Sequence, residues 1–445
     1  MLKPNILFIL IDSMRSDRCY GKNKTTNTPN IDSLIQKGVF FKQAISSSDY
    51  TITGYGSIFT GLFPINAGIS GMSYHKIFSK VPNYITLLQN NGYQTYATMD
   101  QWSTKMGFSA LFENNVQEYD RTKTNLFDGL DKEILDRFES GLLKEPWFYF
   151  IHLEDLHIPI RVPDKFKHKK YSERYDLVVE NIDVWLGKLI KKINLKNTII
   201  ILTADHGDYI LSIDDGEKNS LSKKIKSKIR EKIPGSTYDF LATKKRETTR
   251  KIQLASAKSS LEKRSIDTRT APERFLFDDV LHVPFLISGF NIPNTGIIHD
   301  MIRNIDIFPT LEELINLPNY RHQTNGRSLV PLLNKQKLEE EPAYLENTIF
   351  ATDTKSPIPC IGIRTGNYKY FRALTNSDKK IHLYNLKNDP LEENNLVNTC
   401  QDVVKNMESL LSKIREELQS NFEEQSMTVE ETKDVENELK KLGYI

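Results

Sequence analysis

The chain has 445 residues, of which 39% are hydrophobic, and a formal net charge of +2. This length and apolar content fit a large globular α/β domain with an appendage and exclude a disordered chain. The near-zero net charge excludes a general electrostatic attraction of the whole chain to nucleic acid.

The N-terminal run "MLKPNILFILIDS" is too short to cross a bilayer and carries no signal-peptide pattern, so it is predicted to form the first buried strand. No later segment approaches the ~20 apolar residues of a membrane span. The three cysteines, Cys19, Cys360 and Cys400, are widely spaced and form no framework, which favours a reducing compartment. We therefore expect a cytoplasmic protein.

Apolar runs that end in polar clusters alternate with helical patterns along the first 340 residues. The runs predicted as buried strands are Asn5–Ile11, Trp147–Leu153, Thr198–Leu202 and Val283–Ser288. The predicted helices are Ile31–Lys37, Tyr84–Asn91, Leu130–Leu143 and Tyr171–Ile193. This alternation predicts an α/β fold with a doubly wound, mostly parallel sheet sandwiched by helices. Ligands of such sheets bind beyond the carboxyl ends of the strands.

The pattern changes after about residue 340. "CIGIRTGNYKYFRAL" and "KIHLYNL" predict short antiparallel strands, and Gln401–Leu418 and Thr428–Leu442 are amphipathic. We predict a catalytic α/β domain over residues 1–340 and a small α+β subdomain over residues 341–445.

A basic segment, residues 217–274, interrupts the first domain. It contains 17 Lys or Arg against 7 Asp or Glu and few strand-like runs. We interpret it as an insertion that is mainly helical or partly disordered. The simpler interpretation is a solvated, lysine-rich excursion. The alternative is a cationic arm for a polyanion such as a phosphorylated glycan, an acidic membrane surface or nucleic acid.

Asp12, Asp205 and His206 each follow a predicted buried strand, and they should therefore meet at one edge of the sheet. Two carboxylates and an imidazole suit a divalent metal ion. Mn²⁺ or Zn²⁺ fits this donor set best, with Ca²⁺ or Mg²⁺ as alternatives. We predict one such ion.

The stretch "SDYTITGYGSIFTG" places Thr51 at the start of a predicted helix, after the run Ala44–Ser48. A threonine hydroxyl is a poor nucleophile unless a base or a metal activates it. The N-terminus of a helix attracts anions through its N–H groups and its dipole. An attacking hydroxyl, a metal and an anion site would then coincide.

These motifs together resemble the sulfatase-like branch of the alkaline phosphatase superfamily. The ordered matches are "PNILFILIDSMRSD", "TPNIDSL", "HLEDLHIP" with Leu156 where the branch has proline, "TADHGD", "LHVPFLIS", "IDIFPTL", "NGRSLVPLL", "IGIRTGNYKYF" and "LYNLKNDPLEENNL". The resemblance covers nearly the whole chain outside the basic insertion.

The resemblance implies a role for each matching residue. Asp12, Asp205, His206 and Thr51 would bind the metal, with Thr51 also the nucleophile. His157 and His282 would bind the anionic group or protonate the leaving oxygen. His152 and Asp155 belong to the same substrate-binding group, behind the residues that contact the anion.

The positions at which this sequence differs from the branch restrict the reactions that we expect it to catalyse. Sulfatases carry Cys/Ser-x-Pro-x-Arg, whose first residue is converted to formylglycine, whereas this chain has "TITGY" at residues 51–55. No formylglycine is expected, and hydrolysis of sulfate esters by the usual route is disfavoured. Threonine at this position resembles the phosphodiesterases, phosphonate hydrolases and phosphoglycerol or phosphoethanolamine transferases of the branch. The lysine or histidine that usually follows Asp-His-Gly has no clear counterpart.

We therefore predict a metal-dependent hydrolase of phosphate mono- or diesters, or of phosphonates, that works through a phosphothreonine intermediate. Its substrate would be an anionic ester, such as a phosphorylated glycan or a lipid head group. The alternatives are a head-group transferase acting on a glycan, a sulfatase-like hydrolase of sulfate esters, and a non-catalytic relative that binds polyanions.

Overall fold

The computed structural model describes residues 3–68, 81–113, 115–210, 244, 248–257, 259–270, 275–317, 324–347, 359–418 and 433. Two β-sheets organise these residues: a nine-stranded mixed sheet with helices on both faces, and a four-stranded antiparallel sheet. Among the described helices, none combines the length and the apolar character needed to cross a bilayer.

The nine strands of the main sheet come from the first 303 residues. Their bounds are β1 Asn5–Ile11, β2 Val39–Ile45, β3 Gln94–Asp100, β4 Val116–Tyr119, β5 Trp147–Leu153, β6 Thr198–Thr203, β7 His282–Val283, β8 Phe285–Gly289 and β9 Gly296–Arg303. The order is β4-β3-β5-β1-β6-β8-β2, with β7 and β9 also paired to β2. The predicted doubly wound, mostly parallel sheet is confirmed.

The central strand β1 explains why its sequence is continuously apolar. It pairs in parallel with β5 on one side and β6 on the other, so that Ile9 lies opposite both Ile151 and Leu202. All seven of its residues are buried. Because helices cover both faces of a parallel sheet, such a strand carries no polar alternation.

Strand direction brings four chain segments to one edge of this sheet. β1, β5 and β6 run in parallel and end there. β8 runs antiparallel to β6, and β2 runs antiparallel to β8, so β2 also ends at that edge. β7 precedes β8, and His282 at its start therefore lies on the same side.

The helices connect these strands. Their bounds are α1 Pro29–Lys37, α2 Thr51–Thr60, α3 Tyr84–Asn90, α4 Gln101–Lys105, α5 Leu130–Glu139, α6 Tyr171–Ile190, α7 Ser260–Thr270, α8 Asp278–Leu281, α9 Ile307–Leu314, α10 Val330–Leu333 and α11 Gln401–Glu417. Short 3₁₀ turns occur at Ser16–Arg18, Phe108–Phe112, Asp164–Phe166 and Asn304–Asp306. The helix predicted to reach Leu143 stops at Glu139, since Gly141 two residues later has a φ of +70°, outside the helical range.

The second sheet is formed by β10 Ala343–Glu346, β11 Cys360–Arg364, β12 Tyr368–Ala373 and β13 His382–Asn385. α11 packs on it through Met407 and Leu411, which are buried in the same apolar cluster as Tyr370. This arrangement confirms the predicted antiparallel strands and the first C-terminal helix. The second predicted helix, Thr428–Leu442, falls outside the described residues apart from residue 433, and the domain boundary at residue 340 stays a prediction.

The described part of the basic insertion is helical. Residues 248–256 and α7 are helical, whereas residues 217–243 lie outside the described part of the chain. Ser265 and Ile266 of α7 are buried. At least this end of the insertion is packed against the protein.

Candidate active site

Asp12, Thr51, Asp205 and His206 meet at the carboxyl edge of the main sheet. Asp12 follows β1 directly, Asp205 and His206 follow β6, and Thr51 is the first residue of α2. The side chains of Asp12 and Asp205 are inaccessible to solvent, and Thr51 is 6% exposed. The structure thus brings together all four residues that the sequence assigned to one metal site.

Distances of 3.0–3.5 Å join these four residues. The Thr51 hydroxyl donates to Asp12 Oδ2 at 3.0 Å and lies 3.3 Å from His206 Nε2. His206 Nε2 lies 3.5 Å from Asp205 Oδ2. One potential ligand atom each from Asp12, Asp205 and His206 fits within a mutual distance of 4.8 Å.

Local packing fixes the position of Thr51 relative to Asp205. A Cβ atom on Gly54, in the first turn of α2, would lie 2.8 Å from the carbonyl oxygen of Asp205. Only glycine allows this approach without displacement of the helix. The Ser46 hydroxyl, which follows β2, donates to the same carbonyl at 2.5 Å.

The donor set fits a divalent cation. His206 Nδ1 lies 2.7 Å from the carbonyl oxygen of Gly207, which keeps a proton on Nδ1 and leaves Nε2 facing the cluster, where a cation would replace its proton. Asp205 Oδ2 is buried and makes no hydrogen bond. An acceptor of this kind, beside a second carboxylate and an imidazole lone pair, requires a positive partner.

Burial and mutual charge shift the pKa values of the cluster in opposite directions. Burial raises the pKa of Asp205 to about 6 in spite of the nearby His206. Burial acts in the same sense on Asp12, but the imidazoles of His157, His206 and His152 together lower its pKa to about 2. Burial opposes charge on His206, yet Asp205 and Asp12 raise its pKa to about 9. At pH 7 the two carboxylates outweigh the charged imidazole of His206, so the site keeps a net negative charge out of water.

A second group of side chains lies next to Asp12. His152 Nε2 lies 4.0 Å from Asp12 Oδ2, and His152 Nδ1 lies 3.4 Å from Asp100 Oδ1. Glu154 is bound by Arg121, whose Nη1 lies 2.6 Å from Glu154 Oε2. Of these residues, Asp100, Glu154 and Arg121 were not predicted from the sequence. Their only sequence signal is that Asp100 and Glu154 occur at the ends of strands β3 and β5.

The charges of Asp12 and His206 both act on His157. Burial and the charge of Arg121 lower the pKa of His157 to about 3, so its ring is neutral at pH 7. Its Nδ1 lies 2.7 Å from the carbonyl oxygen of Ile158, which leaves Nε2 as an acceptor. A neutral ring of this tautomer accepts a proton before it can donate one from Nε2.

Asp155 and His282 make their contacts elsewhere. Asp155 Oδ1 accepts a hydrogen bond from Leu126 N at 2.9 Å, which holds the loop before α5. His282 Nε2 lies 2.7 Å from the carbonyl oxygen of Lys42 on β2. Within the described ranges, no hydrogen bond or ion pair joins either residue to the four-residue cluster. Their assignment to substrate binding stays a prediction.

Asp208 supports the loop after β6. Its Oδ2 accepts a hydrogen bond from the Tyr171 hydroxyl at 2.6 Å, and its carbonyl accepts one from Arg15 Nη1 at 3.1 Å. Arg15 also pairs with Asp279 at 2.5 Å. These contacts tie the segment that carries Asp205 and His206 to α6 and α8.

Comparison with known proteins finds relatives that are named as sulfatases or phosphonate hydrolases. Arylsulfatase K of Gallus gallus is 22% identical over 459 residues, which covers 93% of this chain and 82% of that protein. Phosphonate monoester hydrolase of Agrobacterium radiobacter superposes with a TM-score of 0.64 at 15% identity and covers 94% of this chain and 96% of its own. A protein solved in complex with its substrate D-glucosamine-2-N,6-O-disulfate also has a TM-score of 0.64, at 15% identity, with 94% and 98% covered.

Family models cover most of the chain. The model described as N-sulphoglucosamine sulphohydrolase, C-terminal, matches residues 269–420. The model described as Sulfatase matches residues 4–317, a span that contains every residue of the site described above. This chain is a member of the Sulfatase family and an ester hydrolase of that superfamily.

Proposed function

We propose that the protein hydrolyses phosphate mono- or diesters, or phosphonates, through a covalent intermediate on Thr51. The observation that carries this proposal is the position of the Thr51 hydroxyl, 3.0 Å from Asp12 Oδ2 and 3.3 Å from His206 Nε2. A threonine cannot become formylglycine, so its own oxygen has to attack. Attack of this oxygen on phosphorus gives a phosphothreonine intermediate, which water hydrolyses in a second step.

The residues around Thr51 orient it for in-line attack. Its hydroxyl proton is directed at Asp12, which leaves the oxygen lone pairs available for the attack. A bond forms between Thr51 Oγ1 and phosphorus while the bond from phosphorus to the leaving oxygen breaks. The N–H groups at the start of α2 face the incoming anion.

Asp12, Asp205, His206 and Thr51 would hold one divalent cation. When bound, this ion would act as a Lewis acid that lowers the pKa of a hydroxyl and neutralises phosphoryl charge. Mn²⁺ or Zn²⁺ suits the two carboxylates and one imidazole best.

His157 is the better candidate for protonation of the leaving oxygen. It is neutral without substrate, but an anionic ester placed beside the ring raises its pKa and favours the charged form. His282 contacts a backbone carbonyl of β2 instead. We propose a substrate with a charged ester group, such as a phosphorylated glycan or a lipid head group.

Hydrolysis of sulfate esters is the second candidate, because curated relatives such as arylsulfatase K carry that activity in their names. Transfer of a head group to a glycan is a third and differs in needing an acceptor alcohol. We also propose a reducing, cytoplasmic setting, which is supported by the three cysteines, two of them buried and none joined in a disulfide.

A panel of aryl phosphate, phosphodiester, phosphonate and sulfate esters, each assayed with Mn²⁺, Zn²⁺, Ca²⁺ and Mg²⁺, tests this proposal. We expect phosphoric or phosphonic esters to give the highest kcat/KM. Thr51→Ala should lower turnover by ~10³-fold or more, because no other hydroxyl occupies its place. The metal content should remain nearly unchanged.

Thr53→Ala is the matched control, since this threonine lies in the same helix but bonds to Ser48 Oγ and Tyr50 O. It should keep most of the activity. Wild-type turnover in Thr51→Ala would refute the covalent route, and a preference for sulfate esters would replace the proposed substrate class.

A further inference from the structure

We propose that Asp12, His152 and Glu154 form a second divalent-cation site, adjacent to the first and sharing Asp12 with it. One possible ligand atom from each of these residues fits within a mutual distance of 4.8 Å, and all three side chains are buried. This proposal deepens the proposed function, and it rests on it because Asp12 serves both sites.

The imidazole of His152 supplies the strongest observation. Its Nε2 atom is fully buried and has no hydrogen-bond partner, and it lies 4.0 Å from Asp12 Oδ2. That distance is too long for a hydrogen bond, but it leaves room for a cation between the two atoms. A buried nitrogen that faces carboxylates needs a proton or a metal ion.

Asp100 orients this imidazole. Asp100 Oδ1 lies 3.4 Å from His152 Nδ1, and Trp102 N and the Ser103 hydroxyl hold the Asp100 carboxylate, each at 2.6 Å. The ring proton is therefore placed on Nδ1, and the Nε2 lone pair points towards Asp12. Histidines that bind metals are usually held by a carboxylate in this way.

The charge of the pocket supports a second cation. The residues joined by these contacts include four buried carboxylates, Asp12, Asp100, Glu154 and Asp205, and one guanidinium, Arg121. With His206 neutral, as a metal-binding imidazole must be, their formal charge is −3, which one divalent cation changes to −1 and two change to +1. An anionic ester requires a pocket that is not negative.

Arg121 competes with the second cation for Glu154, since its Nη1 lies 2.6 Å from Glu154 Oε2. The two positive charges repel each other at this separation. Removal of the guanidinium should therefore tighten the second site, whereas removal of a ligand should abolish it. A purely structural role of Arg121 would not produce this opposite response.

Equilibrium dialysis of the full chain against Mn²⁺, followed by elemental analysis and calorimetric titration, tests the proposal. The wild type should bind about two equivalents. His152→Ala and Glu154→Gln should each bind about one, and Arg121→Gln should bind two with a roughly tenfold lower Kd for the weaker site. His168→Ala, which removes an exposed histidine, is the matched control and should bind two.

One equivalent in the wild type, or two that survive both His152→Ala and Glu154→Gln, would overturn the second site. If circular dichroism shows that His152→Ala is unfolded, the number of Mn²⁺ equivalents bound by Glu154→Gln tests the second site, because glutamine keeps the shape of the side chain. The two proposals fail separately. One equivalent in an active phosphoesterase refutes only the second site, and two equivalents without turnover of any ester refute only the proposed function.

Discussion

At the scale of single residues, the reactivity of Thr51 depends on how closely α2 approaches Asp205. The helix carries glycine at position 54, where a Cβ atom would meet the Asp205 carbonyl oxygen at 2.8 Å and its Cβ at 3.0 Å. Glycine in a helix costs about 1 kcal/mol relative to alanine. The glycine stands where the helix that carries Thr51 contacts the segment that carries Asp205 and His206.

Gly54→Ala should therefore reduce catalysis although it improves helix propensity. The added methyl group displaces the first turn of α2 from Asp205 and moves Thr51 by a fraction of an ångström. We expect kcat/KM on the best ester to fall about 10- to 100-fold, because misplacement of a reacting group is costly.

Ser57→Ala is the control for this change. Ser57 lies one turn later in α2, and its buried hydroxyl has no hydrogen-bond partner, so its removal leaves the helix in place. It should retain activity. An equal loss in both variants would show that α2 tolerates no substitution, and full activity of Gly54→Ala would contradict the packing argument.

Sequence alone could place Asp12, Asp205 and His206 together at one edge of the sheet, because each follows a continuous apolar run that is typical of a buried strand. It could not distinguish Glu154 from Asp155. After a strand ends the side chains have no fixed period, so adjacent acids can face different ways. In the structure, Glu154 pairs with Arg121 while Asp155 accepts a hydrogen bond from Leu126 N.

At the scale of elements, the strands of the main sheet with apolar side chains throughout were predicted, whereas the mixed strands of that sheet were missed. β1 and β5 were predicted with their observed bounds. β3, "QTYATMD", contains three polar residues before its terminal aspartate, although six of its seven residues are buried. The buried hydroxyl of Thr98 has a hydrogen-bond partner on the neighbouring strand, since its Oγ1 lies 2.7 Å from the Tyr149 hydroxyl of β5. Pairing partners of this kind are not visible in a single sequence.

The α7 helix of the basic insertion is anchored by one of its cations, Arg264. The guanidinium forms an ion pair with Asp279, donates to the carbonyl oxygen of Leu391 at 2.7 Å and lies 4.3 Å above the ring of Phe277. The Arg264 side chain is 13% exposed. This basic residue therefore serves the fold, in contrast to the solvated excursion or polyanion-binding arm expected of the insertion.

Arg264→Met should destabilise the protein by about 2–4 kcal/mol, because it leaves the buried Asp279 with Arg15 alone and removes the backbone hydrogen bonds. Methionine keeps the apolar contact with Phe277, so the loss reports mainly on charge. The unfolding free energy in urea measures the effect.

Lys263→Met, one residue earlier on the exposed side of α7, should change the free energy of unfolding by less than about 0.5 kcal/mol. If the Arg264 variant proved equally stable, the ion pair with Asp279 would not hold α7 in solution.

At the scale of the whole molecule, the two sheets meet directly behind the site. Glu346 N on β10 donates to the carbonyl oxygen of Ser47 at 3.0 Å, one residue beyond the serine that binds Asp205. Apolar residues of both sheets, among them Ile45, Leu345 and Phe371, form one buried cluster. Lys369 of the second sheet is fully buried and pairs with Asp278 of α8 and with Glu392. The C-terminal sheet therefore supports the segment between β2 and α2 that positions Thr51.

Glu346 makes this junction sensitive to pH. Burial raises the pKa of its carboxyl to about 7, above the ordinary value of 4.5. The folded state thus binds the proton more tightly than the unfolded state does. This contribution to stability is complete below about pH 4.5 and is lost as the pH rises towards 7.

Glu346→Gln should remove this loss, because the amide keeps the shape of the side chain but cannot ionise. At pH 8 the variant should be more stable than the wild type by up to about 3 kcal/mol, and the difference should shrink towards zero at pH 4.5. Urea unfolding at several pH values measures the difference, in which the contributions of all other groups cancel. Glu339→Gln, at an exposed position, should show no such trend. A difference that stays constant with pH would mean that the Glu346 carboxyl is solvated, and hence that the two sheets are not closed against each other at this point.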